Sequence, residues 1–198
     1  SVSMMGTAYA GGAAQAEDSS TLYFNPAGMV RLPGTHMSAG GQVVVSEAKF
    51  KDNDSSFATA LGGAPLGGGN GGDGGTTGFI PHLYVTHQLD DKIWLGLAVN
   101  VPFGLATEYD DGWVGRYHAL KSSVKTVNIN PSIAFKVNKQ LSVGAGISAQ
   151  YIEAEWTNSV DFGAIDALPA PPFGPGLGGA LGLGGPGGSD GKSVLEGD

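Results

Sequence analysis

Residues 79–103 read FIPHLYVTHQLDDKIWLGLAVNVPF, and residues 127–151 read VNINPSIAFKVNKQLSVGAGISAQY. In the first stretch Phe79, Pro81, Leu83, Val85, His87 and Leu89 hold the odd positions, against Ile80, His82, Tyr84, Thr86 and Gln88 at the even ones. Beyond the polar break Asp90-Asp91-Lys92 the odd positions are Ile93, Leu95, Leu97, Val99, Val101 and Phe103, and the even ones Trp94, Gly96, Ala98, Asn100 and Pro102. A period of two is the period of a strand. A three-residue turn pairs Leu89 with Ile93, which places Val85 opposite Leu97, Leu83 opposite Val99, Pro81 opposite Val101 and Phe79 opposite Phe103. The second stretch repeats the pattern about Asn138-Lys139-Gln140. Val127, Ile129, Ile133, Phe135, Val137, Leu141, Val143 and Ile147 share one face, and Asn128, Asn130, Ser132, Lys136, Ser142 and Ser148 lie on the other.

Stripe length separates a soluble sheet from a membrane-spanning one. Each stripe covers about eleven residues, and at ~3.3 Å per residue and ~45° tilt it spans roughly 25 Å, the height of the lipid-facing band of a transmembrane barrel. Soluble strands commonly run to ~5–6 residues. Asn128, Asn130, Ser132 and Lys136 suit a wet lumen better than a sandwich core. The competing reading is a soluble antiparallel sheet with one wet face; it requires Leu97, Val99, Ile133 and Val143 to lie inside a compact core.

Composition agrees with a barrel. Charged residues make up 14% of the chain, where about 25% is usual in soluble domains. Glycine accounts for 35 of 198 residues. No stretch approaches the ~18–20 consecutive apolar residues of a transmembrane helix. The net charge of −8 argues against nucleic acid as a partner, which needs a basic stripe. Cysteine is absent, so there is no disulfide framework, thiolate metal site or Cys nucleophile. The opening SVSMMGTAYAGG lacks the regions of a signal peptide, and a start without Met points to a mature or clipped terminus.

A further strand is expected at about Met37–Lys49, making about five. Short turns fall at 90–92 and 138–140. Long segments fall at about 51–77, 104–123 and 163–198, and such alternation is the habit of bacterial barrels, short turns to the periplasm and long loops outside. Small barrels need about eight strands to close, so five imply a chain that continues, the simpler account, or several copies that complete one barrel.

The first 34 residues show no such alternation. Met4–Ala16, rich in Ala and Gly, is expected to form a small packed helix, and Asp18, Ser19 and Ser20 to cap a second short one, which Pro26 and Pro33 interrupt. Small residues permit the close backbone approach that a lumen plug requires; the bland alternative is a loose leader.

The run GTAYAGGAAQAEDSSTLYFNPAGMVRLPG, at residues 6–34, with its Asn25-Pro26-Ala27 motif, resembles the N-terminal hatch of the FadL-type outer-membrane transporters, a family of channels for long-chain fatty acids and aromatic hydrocarbons. Residues 100–151 are similar to that family's third to fifth strands. The resemblance implies an antiparallel barrel of about fourteen strands, of which about five are present here, monomeric when full length and seated in the bacterial outer membrane among its lipid and lipopolysaccharide. It divides the chain into a hatch at 1–34 and barrel strands with external loops at 35–198. It further implies a hydrophobic small molecule as ligand, captured at the external loops and released laterally through the wall, with no cofactor and no metal.

The family's inward kink of the third strand maps onto Asn100, Pro102, Phe103 and Gly104. Proline removes a ladder donor and glycine relaxes the backbone, so either the strand breaks locally here or Pro102 ends it at the rim. Phe103, Leu105, Trp113 and Tyr117 are the candidates for ligand capture; Trp113 and Tyr117 are alternatively interfacial aromatics. The fatty-acid members carry basic residues on the fifth strand where this chain has Glu153 and Glu155, a lumen charge that would repel a carboxylate. Either the counter-charge lies elsewhere or the ligand is uncharged. A non-specific porin and an outer-membrane enzyme are the rival functions. Against an enzyme, His36, His82, His87 and His118 have no metal-site spacing and no nucleophile elbow is present. The Asn-Asp-Gly clusters near Asp73 lack the regular repeat of a calcium site.

Overall fold

A computed structural model describes residues 8, 10–59, 63–163 and 190–197. A one-turn helix α1 (Thr21–Phe24) and a 3₁₀ helix (Pro26–Arg31) precede the strands β1 (Thr35–Val45), β2 (Thr77–Gln88), β3 (Ile93–Asn100), β4 (Gly104–Glu108), β5 (Lys121–Lys136), β6 (Ser142–Gly146), β7 (Ala149–Asp161) and β8 (Asp190–Gly197). They form one sheet in the order β1-β2-β3-β5-β7-β8, with β4 and β6 also pairing with β5. Among the described residues no helix is long and apolar enough to cross a membrane.

The pairings follow the parity argument. Leu83 faces Val99 and Val85 faces Leu97, and the Leu89 N–H donates to the Ile93 carbonyl at 2.9 Å to close the first turn. At the second, the Val137 N–H donates to Leu141 O at 3.0 Å, and Phe135 then faces Val143. Asp90 and Asn138 do the same work in the two turns. Each side-chain Oδ1 accepts from the backbone N–H groups two and three residues on, at 2.7–2.8 Å for Asp90 and 2.8 Å for Asn138, the Asx geometry that favours these residues at tight turns. Between the hairpins, β3 pairs with β5 so that Leu95 faces Ile133 and Val99 faces Ile129.

The strands differ from expectation at the ends away from the two tight turns. The first ladder ends at His82–Asn100, so it does not include the expected Pro81–Val101 and Phe79–Phe103 pairs. Residues 104–123, expected as loop, instead hold β4 and the start of β5. The last of the expected strands is interrupted at Ile147 and Ser148 and continues as β7 to Asp161. Within the segment expected as a third loop, Asp190–Gly197 is a strand that pairs with β7, Asp190 opposite Asp161 and Leu195 opposite Trp156, one run beyond the five anticipated. The rest of that segment, 164–189, lies outside the described residues. Near the N-terminus residues 8 and 10–14 form turns and residues 15–16 are irregular, none of them helical. Gly11 has φ +84°, a left-handed conformation that suits glycine and breaks helical propagation; the rest of the expected helix, Met4–Thr7 and Tyr9, lies outside the described residues.

Two compact units divide the chain: Ser1–Val44 with Gly78–Gly104 and Lys125–Ile152, and Val45–Thr77 with Leu105–Val124 and Glu153–Asp198. In the first unit the odd, apolar face is outside. Leu97, Ile133 and Val143 are 42%, 49% and 51% exposed, whereas Trp94 and Ala98 on the even face are 2% and 0% exposed. The buried cluster consists of Tyr84, Trp94, Ala98 and Ala134 from the strands with Leu22 and Met29 from the N-terminal segment. A soluble sheet would hide its large aliphatics and wet its small residues; here the order is reversed. Cysteine placed at Leu97 or Val143 is expected to react with a lipid-phase probe, and cysteine at Ala98 or Ala134 to be shielded. Labelling of the even set in preference to the odd would overturn this assignment of faces.

Candidate functional site

The Asn25-Pro26-Ala27 motif builds the bend between α1 and the 3₁₀ helix. The Asn25 side chain accepts the Ala27 N–H at 3.1 Å and donates Nδ2 to the Ala13 carbonyl at 2.8 Å. Pro26 occupies the first helical position, where a missing N–H costs nothing. Ala27 then lies on β6. A Cβ on Gly144 would overlap the Ala27 nitrogen, and the Ser142 hydroxyl donates to the Ala27 carbonyl at 3.2 Å. A second close approach occurs at Gly96, where a Cβ would run into Leu22 and the Met29 sulfur. Trp94 Nε1 donates to the Leu32 carbonyl at 2.9 Å. Burying Leu22 and Met29 contributes roughly 1.5–3 kcal/mol each. Residues 10–34 are therefore keyed to the even face of the sheet.

The β3 ladder stops at Asn100 and strand structure resumes at Gly104. Pro102 cannot donate to a ladder. Thr126, a residue the sequence pattern did not single out, spans the gap: its hydroxyl accepts the Phe103 N–H at 2.8 Å and donates to the Phe103 carbonyl at 2.7 Å, and its own N–H reaches that carbonyl at 3.1 Å. The Thr126 side chain thus satisfies the broken strand.

Beside the interruption is an open cleft of about 370 Å³, lined by Tyr23 and Phe24 of α1, Gln42, Ile80, Pro81, His82 and Tyr84, and Asn100, Val101 and Pro102. His82, one of four histidines set aside for want of metal spacing, lies in it. Among the described residues no group of His, Asp and Glu could hold a metal.

The four capture candidates separate. Phe103 and Leu105 are exposed. Trp113 is 8% exposed: it stacks on Tyr109 with ring centres 4.2 Å apart, meets Phe50 edge-on at 5.2 Å, and donates Nε1 to the Ala119 carbonyl at 3.0 Å. It is a buried side chain of the second unit, not a free surface aromatic. Tyr117 is tied down as well. Its hydroxyl donates to Asp190 at 2.8 Å and accepts from Arg116 Nη2 at 2.8 Å, while Arg116 Nε pairs with the same carboxylate at 2.9 Å. Burial, reinforced by the bond to Asp190, pushes the Tyr117 phenol up to about 12. Asp73, noted for its Asn-Asp-Gly surroundings, accepts the Ala48 and Gly75 N–H groups at 2.8 and 2.9 Å; these bonds hold its carboxyl below the usual range. Glu155 is paired with Lys121 at 2.7 Å, which offsets the charge expected to repel an anion; Glu153 lies exposed on β7.

The family model described as outer membrane protein transport protein (OMPP1/FadL/TodX) matches residues 1–195. Outer membrane protein P1 of Haemophilus influenzae is 35% identical over 163 residues, covering 78% of this chain and 35% of that protein. The long-chain fatty acid transport protein of Escherichia coli K12 is 29% identical over 156 residues, covering 78% of this chain and 33% of that one. The crystal structure of a Pseudomonas aeruginosa FadL homologue superposes with a TM-score of 0.65 at 21% identity, over 90% of this chain and 41% of that chain. The chain spans about a third of the length of these curated relatives.

Because the folded second unit favours protonated Tyr117, that stabilisation is complete below the phenol's ordinary 10.0 and is lost as pH rises from there through about 12. Ultraviolet titration should show one tyrosine ionising late, absent in Tyr117→Phe and returning toward 10.0 in Asp190→Asn. A titration unchanged by Tyr117→Phe would refute the assignment.

Proposed function

The chain belongs to the outer membrane protein transport family (OMPP1/FadL/TodX), and from that premise we propose that it forms the hatch and the first strands of an outer-membrane carrier for hydrophobic small molecules. Its place is the outer membrane, and its fold is that family's antiparallel barrel. In this reading residues 1–34 are the hatch, residues 35–198 supply barrel strands and external loops, and the exposed odd face is wetted by outer-membrane lipid. Phe103 and Leu105 offer first contact to an apolar ligand. The interruption at 101–103 is the gate through which the ligand leaves sideways into lipid and avoids the aqueous periplasm.

The observation that carries this reading is the coincidence of three features. A strand is interrupted between Asn100 and Gly104, a cleft of about 370 Å³ adjoins the interruption, and the wall of that cleft is shared with α1 of the N-terminal segment. The chemistry is partition: a ligand gains roughly 0.8 kcal/mol for each methylene taken from water. Long-chain fatty acids and aromatic hydrocarbons both fit this chemistry, the first being what the E. coli relative's name records.

Two experiments on the whole outer-membrane protein test the reading. Deleting residues 10–34 should convert a nearly closed barrel into a leaky one in planar bilayers, and Gly144→Val, overpacked by roughly 1–3 kcal/mol, should raise conductance in the same direction to a smaller extent. Conductance unchanged by the deletion would rule out the plug. Filling the cleft with Ile80→Trp should lower cellular uptake of a radiolabelled fatty acid or alkylbenzene severalfold without changing barrel yield; uptake at the unmodified level would dismiss the cleft as the route.

A further inference from the structure

The polar side chains of the cleft carry more information than its apolar walls. Gln42, His82 and Asn100 are set among Phe24, Ile80, Val101 and Pro102, and among the described residues no Lys, Arg, Asp or Glu lines the space. Asn100 is 7% exposed. Its Oδ1 is taken by Asn128 Nδ2 at 3.1 Å, which leaves its own Nδ2, a donor, without a hydrogen-bond partner among the described residues. The ring nitrogens of His82 and the amide of Gln42 likewise have none there. The imidazole is nevertheless positioned. It lies against the Tyr84 ring at 5.6 Å, and a Cβ on Gly40 would stand 2.9 Å from its Nε2, so glycine at that place on β1 makes the room it occupies.

We propose that this cleft selects amphiphiles with one uncharged hydroxyl head, such as a long-chain alcohol or an alkylphenol, the hydroxyl donating to His82 and accepting from Asn100 Nδ2. The inference rests on the carrier reading above and goes beyond it in naming the head group. A hydroxyl is both donor and acceptor, and it matches a neutral imidazole beside an amide N–H. An ionised carboxylate entering the cleft loses its water and meets no Lys or Arg among the described lining residues, which is the costly case for a buried charge. A bare hydrocarbon leaves the nearly buried Asn100 donor with nothing to bond, and a site built to hold a hydroxyl discriminates against the analogue that lacks it.

The test compares dodecanol, ionised dodecanoate and dodecane for binding to the whole outer-membrane protein in detergent, with wild type, His82→Phe and Ile80→Trp. Dodecanol should bind on the order of tenfold more tightly than either of the others. His82→Phe, which keeps the ring and removes its nitrogens, should abolish that preference while dodecane binding persists, so retained alkane affinity shows that the variant is folded. Dodecanoate binding as tightly as dodecanol, or a dodecanol preference that survives His82→Phe, overturns the head-group assignment. If Ile80→Trp at the same time still blocks all three ligands, the carrier reading survives that failure. Binding of all three that is indifferent to Ile80→Trp removes the cleft and the head-group assignment together.

Discussion

A backbone in hydrocarbon has no water to turn to, so each N–H and C=O of a crossing strand must be satisfied by its neighbours. Once the ladders of β2, β3, β5 and β6 are in register, side chains sort by parity alone. Leu95, Leu97, Ile129, Ile133 and Val143 emerge on the outside, and the inside receives Trp94, Gly96, Ala98, Asn128 and Ala134. That inner face would be a poor core by itself, being too small and too polar. It becomes one because a separate segment brings Leu22 and Met29 to it. Gly96 and Gly144 matter here for the volume they leave empty. At both, the space a Cβ would take is filled by the N-terminal segment.

The interruption between Asn100 and Gly104 shows how such a sheet can be opened without leaving a strand unsatisfied. Pro102 removes one donor, and the cost of the adjoining orphan groups is met by Thr126, which bonds both the N–H and the carbonyl of Phe103. Downstream the buried side of β5 also changes parity. Ser123 is buried at an odd position, whereas Thr126, Asn128, Ser132 and Ala134 are buried at even ones. On that same part of β5, Lys121 forms an ion pair with Glu155 of β7.

In the second unit glycine-rich segments are held by a different kind of contact. Trp113 packs against Tyr109 and Phe50, Arg116 reaches the Gly67 carbonyl at 2.6 Å as well as Asp190, and Asp73 gathers two backbone N–H groups. These loops thus obtain their order from an aromatic cluster around the buried Trp113 and from charge-assisted hydrogen bonds, which are stronger than neutral ones.

The amino-acid sequence alone determined the period, the two tight turns, the register of both hairpins and the sidedness of their faces. These follow from local alternation and turn chemistry, and a slip of one residue would turn Leu97 and Ile133 inward. The break that Pro26 makes in the N-terminal segment was legible for the same reason, since a proline constraint is local, whereas the Asn25 bond to the Ala13 carbonyl was not. What only the tertiary structure decided depends on partners distant in the chain. Trp113 belongs to a loop core because Phe50 reaches it, Tyr117 is fixed because Asp190 reaches it, Glu155 is matched by Lys121, and residues 190–197 are a strand because β7 offers an edge. His82 has a place in a cleft only because α1 and the end of β3 close around it. No pattern along one strand records such meetings, because they are set by how separate segments pack and not by the spacing within any of them.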